Sequence, residues 1–502
     1  MAEDVARDER RLVVAGDHQA EYQTWLSLTS APEFVCETLT RLHAAFPSAR
    51  LTLKYLPPNA PLDRLLAVSS LQSRLRVRRH RRPLMKIDTA EATASLQKKS
   101  NKSRINRLKR IGEVTLERIT DAAAFESVFD EIIAQYDFRQ AALNNVAPFR
   151  EDPCKRLFHV ELLRRDPSLL HVTALKVAGN IVAAHIGVVS HHQVHLSIVA
   201  HSPTYGPYSP GKLLLLFLGK RLGEEGIHYL DLTPGGDPWK ERFADQHDEV
   251  HELDIWRGRA ARHVALSGER AYAAAKYAAA LVGIQPRNVK SLLRTVAELT
   301  RAILRTVSGS ARHTRREIRL FSQPPGASPL PIASDVRKDS VSDLLDFTPP
   351  DRLDGTERFF ADALHRLENG EHVYTLVRNG RLRQYAWVNE DPKNASPAAT
   401  YGRFQPPEGS ALLYDVYADP RPPANEPFHA PLARALGDIR TAAADRPVFV
   451  ALPADSTALH DMKAWGLRHE FSASPPSAWE RLRTRWKTGA ASGAGDDDRG
   501  DT

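Results

Sequence analysis

Residues 195–243 read HLSIVAHSPTYGPYSPGKLLLLFLGKRLGEEGIHYLDLTPGGDPWKERF. Val194, Leu196 and Ile198 alternate with polar neighbours, the period of a strand. A loop of Pro, Gly, Ser and Tyr follows. Ser209-Pro210-Gly211-Lys212 then opens a leucine-rich helix, with Pro210 at an early helical position. Gly226 ends the helix, and Ile227 to Leu232 predict a second strand. The unit is strand, turn, helix, strand. A helix N-terminus entered through glycine and flanked by lysine favours anions, because its free N–H groups and dipole point at them.

Outward from this unit, residues 170–178 and 181–189 predict a hairpin turning at Gly179-Asn180, and residues 193–200 a third strand. Upstream lie a basic helix over 95–111, a strand over 113–119 and a helix capped by Asp121. In that helix Phe125, Val128, Phe129, Ile132, Ile133 and Tyr136 share one face. A further helix runs over about 153–165. Downstream, residues 340–485 repeat the pattern: a helix over 352–368, a hairpin at Asn379-Gly380, a strand over 411–417, a helix over 428–444, a strand over 448–452, a helix over 457–466 and a strand over 467–471. Where the first unit has its glycine loop, the second has Pro420 to Pro427, rich in residues that lack an N–H. The second unit is therefore read as degenerate and structural.

Together these signals predict an α+β fold with mixed sheets. Residues 1–90 form a lead-in module, 91–256 the first domain, 257–339 a basic helical region and linker, 340–485 the second domain and 486–502 a disordered tail. Of the 502 residues, 42% are hydrophobic and 26% charged, a globular composition. The two cysteines, Cys36 and Cys154, exclude a disulfide framework and fit reduced thiols in a cytosol. The N-terminus lacks a signal-peptide core, and no apolar run reaches the ~18 residues of a membrane span. A cytoplasmic protein, at most peripheral at the inner membrane, is expected. The net charge of +8 is concentrated. Residues 71–110 hold fourteen Lys/Arg against two acids, and residues 257–320 hold fourteen against three. Such clusters suit a CoA diphosphate, an acidic glycan, an anionic lipid or nucleic acid, or else are solvated helix faces.

The order Tyr-Ser-Pro-Gly-Lys, leucine helix, Gly-x-x-x-Leu-Asp and Gly-Asp-Pro-Trp-Lys resembles the CelD/BcsL-type acetyltransferase family linked to cellulose biosynthesis. That family is a branch of the GNAT superfamily, with relatives among FemAB-like aminoacyltransferases. Arg82-Pro83-Leu84-Met85, the run Leu96 to Ser103 and Arg107 to Gly112 extend the match over about residues 20–255. The resemblance implies tandem GNAT-like folds and acetyl-CoA or another acyl-CoA as co-substrate, with no metal. Ser209, Gly211, Lys212 and Leu213 would cradle the diphosphate. Asp231 would orient the acceptor or act as base, or else cap the Gly235-Gly236 turn. Lys240 would bind an anionic substrate group or pair with Asp237. Tyr208, Asp237 and Trp239 would face substrate, Trp239 replacing the family's tyrosine. His185, on the hairpin's second strand, is a further candidate base.

The implied reaction is acyl transfer to an amine or hydroxyl of a sugar or cell-envelope precursor. Partners would be a small-molecule or glycan acceptor and an anionic membrane surface or synthase complex. Nucleic acid enters only as tRNA, in the FemAB-like variant. The other class left open is a non-catalytic scaffold of a polysaccharide-synthesis complex.

Overall fold

A computed structural model describes residues 2–4, 11–14, 16, 20–25, 32–47, 49–281, 318–324, 335–348, 355–391, 406–419, 429–454 and 456–473. The first part of the chain runs β1 (Ala2–Asp4), β2 (Arg11–Val13), α1 (Pro32–Ala45), β3 (Arg50–Leu56), α2 (Leu62–Leu66), α3 (Ser69–Gln72), β4 (Leu75–Lys86), α4 (Thr89–Gln97), α5 (Lys99–Ile111), β5 (Val114–Ile119), α6 (Ala122–Asn144), α7 (Pro148–Glu151) and α8 (Cys154–Arg165). It continues through β6 (Leu170–Val177), β7 (Asn180–Ser190), β8 (Gln193–His201), a 3₁₀ turn (Pro203–Tyr208), α9 (Pro210–Glu224), β9 (Tyr229–Asp231), α10 (Pro238–Glu241), β10 (Gln246–Ile255) and α11 (Arg259–Leu281). The second part has β11 (Ile318–Gln323), β12 (Arg337–Lys338), α12 (Val341–Leu344), α13 (Gly355–Glu368), β13 (His372–Arg378), β14 (Arg381–Asn389), β15 (Ala411–Ala418), α14 (Ala430–Ala442), β16 (Val448–Pro453), α15 (Leu459–Ala464) and β17 (Arg468–Ala473).

The strands form two mixed sheets, ordered β1-β2-β3-β10-β4-β9-β8-β7-β6-β5 and β12-β13-β14-β15-β16-β11-β17. Read from β5, the first sheet runs β5-β6-β7-β8-β9-β4-β10 and so repeats the second strand for strand. The directions agree at every step: β8/β9 and β15/β16 are parallel, and the other pairs are antiparallel. In each copy a strand from upstream, β4 or β11, is inserted between the strand after the long helix and the last strand.

That insertion corrects the sequence-based boundaries. Residues 1–90 are not a separate layer, because β4 lies inside the first sheet and β3 pairs with β10. Ile318 to Phe321, assigned to the basic helical linker, are part of β11 in the second sheet. The rest of 282–317, the segment 420–428 and the tail lie outside the described residues. The basic helix also divides at Lys98, whose ψ of 136° is not helical, into α4 and α5. The first hairpin turns one residue earlier than expected: Ala178 and Gly179 take the positive φ values of 49° and 81°. The second turns at Asn379-Gly380, with φ of 53° and 65°, the pairing that a two-residue hairpin turn favours.

The arginines of β4 face the acids of β10. Arg82 Nε donates to Asp248 at 2.6 Å, and Arg78 Nη2 to Asp254 at 3.0 Å. Arg78 also pairs with Glu252, and Arg76 with Glu269 of α11. Cross-strand pairing thus neutralises much of the charge that the sequence alone assigns to an anionic partner.

The two copies share a core. Phe138, Ala141 and Ala142 of α6 lie in one apolar cluster with Phe360, Leu364 and Leu367 of α13. Arg139–Glu368 and Arg150–Asp346 ion pairs, both at 2.8 Å, flank it. The 3₁₀ turn before α9 presses on the end of α13: a Cβ at Gly206 would come within 2.8 Å of Glu368 Cα. Among the described residues no helix is long and apolar enough to cross a membrane.

Candidate active site

Parallel strands β8 and β9 pair from Gln193–Tyr229 to His195–Asp231. Beyond that rung β9 ends, whereas β8 continues to His201. The sheet opens there into a fork, and α9 starts just past the end of β8. A fork at the carboxyl ends of parallel strands is where α/β sheets bind ligands.

Asp231 sits at the base of the fork with no solvent exposure. Its Oδ2 accepts from Tyr22 Oη at 2.5 Å, His195 Nδ1 at 2.8 Å and Arg82 Nη1 at 3.4 Å. Its Oδ1 accepts from the Thr233 N–H at 2.8 Å. A buried carboxylate needs this many donors to remain charged. Tyr22 stands edge-on to His195, ring centroids 5.3 Å apart, and the Arg82 guanidinium lies over Tyr22 at 5.5 Å. Burial, then the Asp231 carboxylate, pushes the Tyr22 phenol well above its ordinary range. Glu21 enters beside it, and burial raises its carboxyl against the pull of Lys54 and Lys240.

With Nδ1 held by Asp231, the His195 Nε2 has no hydrogen-bond partner among the described residues. The arrangement is carboxylate–imidazole, the carboxylate fixing ring and tautomer. Asp231 is in contact with protein groups on both oxygens, whereas His195 is partly exposed, so of the two it is the imidazole that is open to a ligand. The sequence reading named Asp231 but not His195, and had no signal for Tyr22 or for the Asp231–Arg82 contact.

Lys240 is also buried. Its Nζ donates to Thr233 O and Oγ1, both at 3.1 Å, and to Pro234 O at 3.3 Å, and lies 3.7 Å from Asp237. Burial pulls its pKa down, opposed by Asp237. Lys240 therefore braces the turn that carries Gly235 and Gly236, with φ of 154° and 69°. Trp239 is 36% exposed at the rim, with Lys240 Nζ 5.8 Å from its ring. His185 lies elsewhere. It is fully buried, 5.7 Å from the His171 ring, and neither ring nitrogen has a partner. Burial drives its pKa far down. It belongs to the core, on β7 opposite Val199 of β8.

At the other end of the opening, Ser209 has a left-handed backbone, φ 54° and ψ 56°, and its side chain does not cap α9. Leu213 is a core side chain whose N–H bonds to Ser209 O at 3.2 Å. Gly211 faces His201: an added Cβ would meet its Nδ1 at 3.3 Å. That nitrogen is buried without a partner, and burial, with Arg139, pushes the ring to about 3. Lys212 is exposed, and its pKa is lowered by partial burial and by Arg104, Lys98 and Arg242. Arg107 of α5 donates to Pro207 O at 3.1 Å and stacks on Tyr208 at 5.1 Å. The basic helix thus lies beside the start of α9. An uncapped helix start, a glycine and four crowded cations form a site suited to phosphate groups.

Residues 95–241 match the family model described as an acetyltransferase (GNAT) domain. The chain has the α/β architecture of two such modules in tandem. No curated protein matches it. Among solved structures, the C-terminal domain of a putative lysylphosphatidylglycerol synthetase from Agrobacterium fabrum is 16% identical, covering 47% of this chain and 77% of that one, at a TM-score of 0.32. FemX is 9% identical over 49% and 80%, at 0.31. A tandem GNAT protein from the clavulanic acid biosynthesis pathway is 14% identical over 73% and 100%, at 0.21. Among the described residues no cluster of His, Cys, Asp and Glu is placed to hold a metal ion.

Proposed function

We propose that the first module transfers an acyl group from acyl-CoA to an amine or hydroxyl of a sugar or cell-envelope precursor, in the manner of the CelD/BcsL-type branch that the sequence resembles. The reading is carried by one arrangement: the His195–Asp231 pair at the base of a strand fork whose far end is an uncapped, cation-lined helix start. The residues fit an acyl-CoA. The start of α9, Gly211, Lys212, Lys98 and Arg104 would hold its phosphates, and bound there it supplies an activated acyl thioester. His195 Nε2 would take the acceptor's proton, while Asp231 holds Nδ1 and stabilises the charged ring. Arg82 and Tyr22 hold Asp231 in place through charge and hydrogen bonding.

The test is thermal unfolding of the full chain with acetyl-CoA and longer acyl-CoAs, followed by acyl transfer to amino sugars and sugars. Ligand at 100 times its Kd stabilises the fold by about 2.7 kcal/mol. His195→Gln is expected to keep this shift and lose transfer. No shift with any acyl-CoA at millimolar concentration would replace the enzyme by a scaffold of a polysaccharide-synthesis complex.

A further inference from the structure

The second module has its own cavity, which the reading above does not use. It has a volume of about 220 Å³ and is lined by Phe347, Phe359, Tyr385 and Trp387, by Arg366 and Asp415, and by Arg358, Asp362 and Ala363. It lies between α13 and the fork of the second sheet. There the parallel pair ends at Leu413–Val450, and Asp415 is two residues further along β15.

The charges in this cavity are unequally presented. Arg366 is buried: its guanidinium lies 4.9 Å from the Trp387 ring and 5.1 Å from that of Tyr414, and its Nη1 donates to Asp415 Oδ2 at 2.5 Å. Its Nε is shielded and unpartnered. The side chain of Asp415 is 37% exposed against 7% for Arg366. Both side chains line the cavity, but the carboxylate is the more exposed of the two, and Asp415 Oδ1 has no hydrogen bond among the described residues. At the rim Arg358 is spent on Asp362, 3.6 Å away. The walls are aromatic. Phe347 and Phe359 stack with centroids 3.9 Å apart, and Tyr385 closes on Phe359 at 5.7 Å. Asp415 also holds a left-handed backbone, φ 47°, within a strand. Backbone outliers of this kind in non-glycine residues cluster at ligand sites.

We propose that this cavity binds a small organic ammonium ion, its charge against Asp415 and its body among Phe347, Phe359 and Tyr385. A carboxylate beside aromatic faces attracts a cation twice, through charge and through the ring quadrupoles. The volume is below the ~300–1,000 Å³ of drug-sized pockets, so the ligand is compact. The proposal stands independently of acyl transfer by the first module.

The experiment is saturation-transfer NMR titration of the full chain with benzylammonium, benzyl alcohol and benzoate, three probes of similar shape. Benzylammonium is expected to bind at least tenfold more tightly than either of the others. Asp415→Asn, which can still accept from Arg366, is expected to lose that tenfold preference. Asp362→Asn, at the exposed rim, checks the result in a variant that leaves the buried pair intact and is expected to weaken benzylammonium by a smaller factor. Equal binding of the alcohol, tighter binding of benzoate, no saturation by any probe, or an Asp415→Asn chain that melts normally and retains the full preference would each overturn the proposal.

Discussion

The two modules share seven strands in one order, yet they treat the same two places differently. In the first, the base of the fork is filled by protein, with Tyr22, Arg82, His195 and Asp231 in mutual contact, and the start of the following helix is open. In the second the reverse holds. A cavity opens at the fork, and the helix start is closed from within: Gln384 Oε1 accepts from the Ala430 N–H at 3.1 Å, and His429 bonds Thr457 at 3.0 Å. Both helices begin from a left-handed residue, Ser209 or His429, with proline in the first turn. Backbone geometry is thus common to both, and the side chains that arrive from other strands decide which end serves a ligand.

The largest effect that sharpens this contrast is expected from Asp231→Asn. It keeps size but not charge, so His195 loses its anchor and transfer falls by about 10²–10⁴, with acyl-CoA affinity within about twofold. The acid limb of the pH–rate profile, where protonation disables a general base, should move as well, which a purely structural aspartate would not cause. Full turnover and an unmoved profile would remove the pair from the mechanism. Gly211→Val comes next. Its branched side chain crowds His201 and the helix start, and acyl-CoA binding measured by calorimetry is expected to weaken at least tenfold. Unchanged affinity would mean that phosphates bind elsewhere.

Gln384→Ala tests the other half of the comparison. It leaves the Ala430 N–H buried without that acceptor, at a cost of about 1–3 kcal/mol in urea unfolding, while the acyl-CoA shift of the first module is preserved. A neutral change would show that the internal cap is incidental. The smallest effect concerns acid. His171 and His201 are each pushed to about 3, by burial first and then by nearby arginines. Between about pH 6.5 and 3 the unfolded chain binds protons there that the folded chain does not, so stability falls as pH falls through that window. The slope approaches about 1.4 kcal/mol per pH unit for each ring. His201→Gln is expected to remove one ring's share in urea titrations at pH 6.5 and 5.5. An unaltered slope would show that His201 charges in the fold.

What the sequence determined by itself is local. Two-residue alternation, turn residues, Pro-Gly at a helix start and one apolar face on α6 gave most strands and helices of both modules, though not β4, β10 or β11, and the open start of α9, because pleat, φ and helical period act over a few residues. Asp231 was also legible, as an acid at the end of a strand. Tertiary structure decided the partners. Tyr22 reaches Asp231 across 209 residues and Arg82 across 149. The basic run of 71–110 was one cluster in sequence, but β4 spends its arginines on the acids of β10 while α5 keeps its cations beside α9. Arg366 and Asp415, 49 positions apart, meet only when α13 packs on β15. Charge in a sequence is a sum, whereas function depends on which charges remain unpaired, and sheet register and helix packing fix that over distances that no local pattern records.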